Sequence, residues 1–567
     1  MNISIKQFSS MEKIRDIDFM KNGHIAHMYA LKGERISYQV AISAEAEKSE
    51  GTYRAACEVE SDLKEYIKLY SVENAIMDLP VKGKTDEYHL TKKEGLMPDL
   101  LMPLEESDNT VSVGKIKSVY VDINLPEDIE AGKYAVRFKA SYTDIEDWET
   151  MDCSVVMYLF IIDAVLDKAD DFIYTEWFHT DCIASTHNVQ VYSEEHWELI
   201  DKYMKSAVGM GVNMILTPVF TPALNTKFGY ERLCVQLVDI KKTEDKYSFD
   251  FSKLGRWIEL CKKNGIKYYE ISSMFTQWGL KYTPNIYAEE NNERKRIFGW
   301  QTNGFDEEYI DFLKIFVPEL VAYLKEKEVY DNSYFHLSDE PTIEYLDVYK
   351  KAYKIVKPLI GEAKIFEACS KKEFYDNDAM DIPVVATDRI MPFIESKVDP
   401  LFAYYCGALH YKLSNRYLSM PLYRCRIIGL QLYKYNLKGF LHWGFNFYNT
   451  YRSENPINPY VTTSAGGIYL SGDCFIVYPG KDTPYPTLRY MMMRDAMQEL
   501  RLFKQAEKYV GREEVVKLID EMADMDVTFA EYPRNNEYQI ELNNKIKNKF
   551  FFIYQLHIYL QVFLYSH

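Results

Sequence analysis

The nine cysteines of this 567-residue chain are scattered, with no C-x-x-C pair and no Cys/His spacing of the zinc type. That excludes a disulfide-knit scaffold and a structural zinc site. Free buried thiols in a reducing compartment are expected, with Cys182, Cys369, Cys406 and Cys425 packed beside barrel strands. Glycine-rich phosphate loops are missing too: Ser464-Ala-Gly-Gly467 has neither the Walker nor the dinucleotide spacing, and no G-x-S-x-G nucleophile elbow occurs. Positive charge is in short supply, with 67 Lys and Arg against 85 Asp and Glu for a formal net charge of -18. Such a surface attracts neither nucleic acid nor an anionic membrane. The opening MNISIKQFSSMEKIRD lacks the apolar core of a signal peptide, so a cytoplasmic location is expected. The terminal run Phe550 to Ser566 is apolar but holds two glutamines and a histidine. It is short against the roughly 20 residues of a membrane span, so a packed or frayed tail is expected rather than an anchor.

What the chain does have is the composition of a soluble globular protein, 47% hydrophobic and 27% charged, at a length that calls for a barrel plus an accessory domain. Aromatic residues make up 15%, including 47 Tyr. Their flat faces and hydroxyls suit stacking on sugar rings, although most must serve ordinary packing. Residues 1–165 alternate with a period of two, as in Arg35 to Ser43, Ser118 to Asn124 and Met151 to Phe160, with turn-rich links between them. This predicts a β-sandwich without a catalytic constellation of its own.

From residue 166 to 510 the pattern becomes apolar strand, loop and amphipathic helix, repeated. Eight strands are predicted: Phe172 to Phe178, Met214 to Phe220, Ile266 to Phe275, Tyr334 to Leu337, Lys364 to Ala368, Pro383 to Thr387, Leu401 to Tyr405 and Gly439 to Phe445. Helical spacing over His196 to Met210, Phe251 to Lys263, Glu307 to Lys327, Ile343 to Lys357 and Arg416 to Tyr435 fills most gaps. The predicted fold class is therefore α/β, a (β/α)8 TIM-type barrel with an N-terminal β-sandwich, and a count of eight favours closure over an open doubly wound sheet. Helices over 485–535 are expected to complete the barrel, and 511–567 to form a helical or frayed tail.

The chemistry concentrates at Tyr334-Phe-His-Leu-Ser-Asp-Glu-Pro341, which ends an apolar strand with adjacent carboxylates and a proline. The carboxyl end of a barrel strand is where such enzymes act. Neighbours in a regular strand face opposite ways, so Asp339 and Glu340 both reach a substrate only if the strand breaks there. Carboxylates so close resist joint ionisation, which keeps an acid protonated near neutral pH, as glycoside hydrolysis requires. A competing reading makes Ser338 or Asp339 a helix cap, with Pro341 in the first turn and Glu340 exposed.

Other predicted strand ends carry Glu176-Trp-Phe-His-Thr-Asp181, Phe275-Thr-Gln-Trp278, Tyr404-Tyr405 and His442-Trp-Gly-Phe-Asn-Phe-Tyr448. Aromatic planes mixed with His, Asp, Asn and Gln are what a pyranose needs. No short ligand-pair spacing accompanies His179, Asp181 and His442, so neutral hydrogen-bonding roles are expected there, with no metal and no cofactor.

Taken together, Glu176 to Cys182, Phe275 to Gly279, Ser338 to Pro341, Ser414 to Arg416, Gly439 to Tyr448 and Gly472 to Gly480 resemble glycoside hydrolase family 123 and the related barrel proteins of domain of unknown function 4091. The resemblance spans roughly residues 10–500. It implies an N-terminal β-sandwich, a catalytic (β/α)8 barrel and release of β-linked N-acetylgalactosamine with retention. It further implies that the substrate's own 2-acetamido oxygen attacks the anomeric carbon. Asp339 would then orient the acetamido N-H and Glu340 would act as acid and base. Trp278, Trp443 and Tyr405 become expected walls of the sugar pocket, and His179, Asp181, Asn446, Tyr448 and Asp473 expected polar contacts. Two alternatives stay open: a conventional two-carboxylate glycosidase, with Glu176, Glu270 or Glu367 as the partner acid, and a non-catalytic carbohydrate-binding protein. The choice between galacto and gluco epimers and the oligomeric state are not contained in the sequence.

Overall fold

The computed structural model describes residues 2–552 except 22–23, 46–51, 108–109, 145–147, 149, 169–170, 245 and 408. The terminal run expected to be a tail thus lies, beyond residue 552, outside the described residues. Among the described residues, no helix is long and apolar enough to cross a membrane.

Two compact units interleave along the chain: Met1–Asp170, Ser414–Lys434 and Tyr485–His567 form one, Asp171–Leu413 and Tyr435–Pro484 the other. The first unit is a sandwich of two five-stranded sheets. One sheet orders Asn2–Ser9, Arg35–Glu45, Ile116–Asn124, Ile67–Met77 and Gly95–Pro103, all antiparallel; the other orders His27–Lys32, Thr150–Val165, Gly132–Asp144, Thr52–Glu60 and Thr110–Ser112. Val40, Val119 and Val121 of the first sheet meet Val136, Phe138 and Leu159 of the second in one core. Alternation of apolar and polar residues along each strand is what lets each sheet bury one face.

The helices Leu488–Val510 and Arg512–Ala523, expected to complete the barrel, group instead with the sandwich. Arg489 on the first of them donates to Asp99 of strand Gly95–Pro103 (2.8 Å), both fully buried. A charge so deep is tolerable only when paired, which fixes this helix to its strand. The long helix predicted over Arg416 to Tyr435 is two short ones, Tyr423–Arg426 and Ile428–Lys434, in the same unit. Cys425 is therefore buried on a helix of the sandwich unit rather than beside a barrel strand, and Cys406 is only half-buried; both are free thiols, as are Cys182 and Cys369.

The second unit is a closed barrel of eight parallel strands, Ile173–Glu176, Met214–Thr217, Tyr268–Ile271, Ser333–Phe335, Lys364–Ala368, Ile382–Ala386, Phe402–Tyr404 and Gly439–His442. The ring closes where Ile173 pairs with Gly439. Helices Glu194–Met210, Ser252–Asn264, Glu307–Glu326 and Leu346–Ile360 return the chain, while those after the fifth and sixth strands shrink to Lys372–Asp376 and Met391–Glu395. A four-stranded sheet not anticipated from sequence, Lys246–Asp250, Asp239–Thr243, Ile286–Glu290 and Glu293–Phe298, is built from the segments that follow the second and third strands.

Candidate active site

The fourth barrel strand ends at Phe335, but its pairing with the third continues irregularly: Met274 N-H donates to His336 C=O (3.2 Å), Phe275 N-H to Leu337 C=O (2.9 Å) and Trp278 N-H to Asp339 C=O (3.2 Å). The chain then breaks. Glu340 has φ +42°, a left-handed backbone that costs a non-glycine residue about 1–2 kcal/mol. Glu340 N-H donating to Ala368 C=O (2.9 Å) and the Tyr404 hydroxyl donating to Glu340 Oε1 (2.5 Å) hold it there. That break brings two sequence neighbours to one mouth. The capping alternative does not hold: Ser338 Oγ donates to Thr276 C=O (2.8 Å), Asp339 Oδ2 accepts from Gln277 Nε2 (2.8 Å), and the next helical turn, Ile343–Tyr345, starts without a side-chain cap.

Asp339 is buried. Burial and then the adjacent Glu340 charge push its pKa well above the ordinary carboxylate range, with the Gln277 hydrogen bond opposing. Asp339 is thus held toward its protonated form.

Around the pair runs a continuous network. Asn225 N-H donates to Gln277 Oε1. Asn225 Oδ1 in turn accepts from the Tyr469 hydroxyl (3.1 Å), and the Tyr469 ring lies 5.1 Å from that of Trp443. Trp443 is half-buried and Trp278 is 41% exposed, so both expected walls present ring surface. Asp473 is buried with Oδ1 3.6 Å from His442 Nε2, and Gly407 packs so close that a Cβ there would sit 2.9 Å from Asp473 Oδ2.

Other expected contacts have structural tasks. Tyr405 is fully buried with its ring 5.0 Å from Phe440; its neighbour Tyr404 is the one that reaches Glu340. Tyr448 is equally buried and donates its hydroxyl to Val477 C=O (2.8 Å). Asn446 spends its amide on the backbone of His179, accepting from N-H (2.8 Å) and donating to C=O (3.1 Å). Asp181 forms a buried two-point ion pair with Arg232, Oδ2 to Nε at 2.8 Å and Oδ1 to Nη2 at 2.6 Å. Burial raises the Asp181 pKa, but the guanidinium more than offsets this and leaves it below the usual range. Arg232 also donates to His179 Nδ1 (3.0 Å), so His179 Nε2-H faces Trp443 C=O (2.8 Å). Burial and then the guanidinium push His179 down to about 3, a neutral imidazole that positions the Trp443 backbone.

Beneath the pair, inside the barrel, lies a second acidic cluster. Glu270 accepts from Thr175 Oγ1, Trp177 Nε1 and His336 Nε2, each at 2.6 Å. Glu367 accepts from the N-H groups of Leu337 and Ser338 (3.1 Å for the latter) and lies 3.8 Å from His336 Nδ1. Burial alone would lower His336; the hydrogen bond to Glu270 and the nearby Glu367 carboxylate overcome it and lift the imidazole to about 10, so it is a cation between two carboxylates. Glu176, also buried, accepts from the Tyr174 hydroxyl (2.6 Å).

Sequence reasoning left Tyr404, Arg232, Asn225 and Tyr469 unassigned. Tyr404 sits in a motif already singled out, one residue from the tyrosine chosen. Arg232, Asn225 and Tyr469 lie in long loops without a pattern to flag them.

This architecture has counterparts among known proteins. The model of the family "Glycoside hydrolase 123, catalytic domain" matches residues 177–506. A family 123 glycoside hydrolase from Clostridium perfringens, described in connection with glycolipid glycan hydrolysis, superposes with a TM-score of 0.72 at 16% identity, over 99% of this chain and 100% of that one. A Bacteroides ovatus family 5 xyloglucanase matches far more loosely, with a TM-score of 0.32 at 7% identity over 88% of this chain and 100% of that one. A search of curated protein sequences finds no match. With more than half its length matched by the family model, the chain belongs to glycoside hydrolase family 123.

Proposed function

We propose that this glycoside hydrolase releases terminal β-linked N-acetylhexosamine, N-acetylgalactosamine in the first instance, with retention, by using the substrate's 2-acetamido group as its nucleophile. The observation that carries this reading is the pairing of Asp339 with Glu340 at the mouth, while Glu176, Glu270 and Glu367 are each engaged inside the barrel. A conventional retaining enzyme needs a second free carboxylate about 5 Å from the acid; the three residues considered for that role are already spent.

In this mechanism the acetamido N-H donates to Asp339, which favours the ionised carboxylate and passes the proton of the pair to Glu340. The acetamido oxygen then attacks the anomeric carbon as the glycosidic C-O bond breaks, and Glu340 gives its proton to the departing oxygen. The Asp339 carboxylate stabilises the resulting oxazolinium cation. Water next attacks the same carbon, Glu340 takes its proton, and the ring opens to the β-configured sugar. Gln277 aims Asp339, Tyr404 aims Glu340, and Trp443 and Trp278 offer faces for the sugar's C-H groups.

The test is chromophore release from aryl β-N-acetylgalactosaminide, β-N-acetylglucosaminide and plain β-galactoside. Activity on acetamido sugars that is lost in Glu340→Gln supports the reading and names the epimer. Activity on the plain galactoside favours a two-carboxylate enzyme, and binding without release on all three would leave a carbohydrate-binding role.

A further inference from the structure

Next to Trp278, the rim of the barrel mouth holds aromatic and cationic residues to which the mechanism assigns no role. Phe228, 60% exposed, has its ring 5.0 Å from Tyr282 and 5.6 Å from Trp300. This cluster is tied to the acid pair through the backbone. Tyr282 N-H donates to Thr276 Oγ1 (3.1 Å) and Thr276 N-H to Tyr282 C=O (3.0 Å), one residue before Gln277. On the other side Lys227 N-H donates to Arg452 C=O (2.9 Å), and Arg452 N-H to Asn225 Oδ1 (3.3 Å).

Arg452 is exposed, with its guanidinium carbon 5.6 Å from the ring centre of Trp278 and 5.0 Å from that of Tyr451. Arg452 and Ser453 both adopt left-handed backbone, φ +58° and +53°, an unfavourable pair of conformations held by Ser453 Oγ donating to Asn225 C=O (2.8 Å). Lys281 stands over the Tyr282 ring at 5.1 Å. Among the described residues, neither Arg452 nor Lys281 has a carboxylate within ion-pair distance, whereas Lys227 is paired with Glu454 at 2.7 Å.

An enzyme that removes a terminal sugar encloses that sugar and lets the leaving group project outward, so the exposed Phe228 and the part of Trp278 left open to solvent meet the leaving group. A guanidinium stacked on an aromatic face keeps its N-H edge for a ligand, and that planar edge suits a carboxylate or sulfate. The chain carries a formal charge of -18, so an acidic glycan is repelled elsewhere and admitted only where cations stand unpaired. We propose that Arg452 over Trp278, with Lys281, forms an anion-recognising leaving-group subsite, and that the substrate is a β-N-acetylhexosaminide whose leaving-group sugar bears a carboxylate or sulfate. This rests on the function proposed above and extends it to the other side of the scissile bond.

The test compares kcat/KM for N-acetylgalactosamine β-linked to glucuronate, to 6-sulfated galactose and to plain galactose, in wild type, Arg452→Gln, Arg452→Lys and Lys281→Gln. An exposed charge contact predicts roughly fivefold preference for an acidic leaving group, eroded by salt. The ratio should fall toward one in Arg452→Gln, recover in part in Arg452→Lys and decline in Lys281→Gln, whose exposed position makes it independent of any folding defect at Arg452. The larger of the two acidic ratios identifies the anion. Equal rates for acidic and neutral disaccharides, or an undiminished ratio in both Gln variants, would overturn the subsite alone, given turnover of the neutral aryl glycoside. No turnover of any acetamido substrate would overturn both proposals.

Discussion

Carboxylates gather at two points of one chain segment, around His336 and, three and four residues later, at Asp339 and Glu340 themselves, and the two gatherings have opposite partners. Around His336, Glu270 and Glu367 meet an imidazolium, an indole N-H, a hydroxyl and backbone N-H groups. At Asp339 and Glu340, a carboxylate meets a carboxylate, with one amide and one phenol as the neutral company. The first arrangement neutralises charge and stabilises the barrel. The second leaves a proton without a fixed owner, which is what acid and base chemistry needs. Residue type is the same in both and Asp339 is nearly as buried as Glu270 and Glu367, so it is chiefly the partners that distinguish the two.

The largest way to break this contrast is Glu340→Gln, expected to lower kcat on natural glycosides by about a thousandfold, as removal of a general acid does. Steady-state kinetics would check it, with inhibitor binding retained. Asp339→Asn should cost about a hundredfold on acetamido substrates. Because the folded pKa of Asp339 is raised, the native state holds a proton that the unfolded state releases, so this group costs stability increasingly as pH climbs above its ordinary value. Thermal melts of Asp339→Asn should therefore gain on wild type at pH 8 relative to pH 5.

Glu270→Ala attacks the other cluster and leaves the His336 cation short of a partner; a loss of about 3–5 kcal/mol in urea unfolding is expected. His336 has its folded pKa raised from 6.5 to about 10, so its contribution is complete below its unfolded value and is lost as pH rises through about 10. A pH series of unfolding midpoints in wild type and His336→Gln would show the difference shrinking toward that limit. The smallest effect is expected from Tyr404→Phe, roughly a tenfold fall in kcat with KM nearly unchanged, since only the aim of Glu340 is relaxed.

All eight barrel strands were readable because a strand buried on both faces is a continuous apolar run, as in Met214–Thr217 and Ile382–Ala386. The added sheet escaped notice for the opposite reason: Asp239-Ile-Lys-Lys-Thr243 alternates polar and charged residues and reads as a loop. Helix Leu488–Val510 carries no mark of which unit it joins, since that is set by the distant Asp99. The meeting of two carboxylates at the end of the fourth strand was legible from Asp339-Glu340-Pro341, but the direction of neighbouring side chains was not. A period of two makes Tyr404 and Tyr405 interchangeable in sequence and opposite in space. Asn446 and Tyr448 resemble sugar contacts in composition; only their partners, the His179 backbone and Val477 C=O, show otherwise.

The central claim is that the substrate supplies its own nucleophile. The most direct measurement is kcat/KM for aryl β-N-acetylgalactosaminides whose acetyl group carries none, one, two or three fluorines. If the acetamido oxygen attacks, each fluorine withdraws electrons from it and the rate should fall steeply across the series; a flat series would contradict the account and return the search to a protein carboxylate.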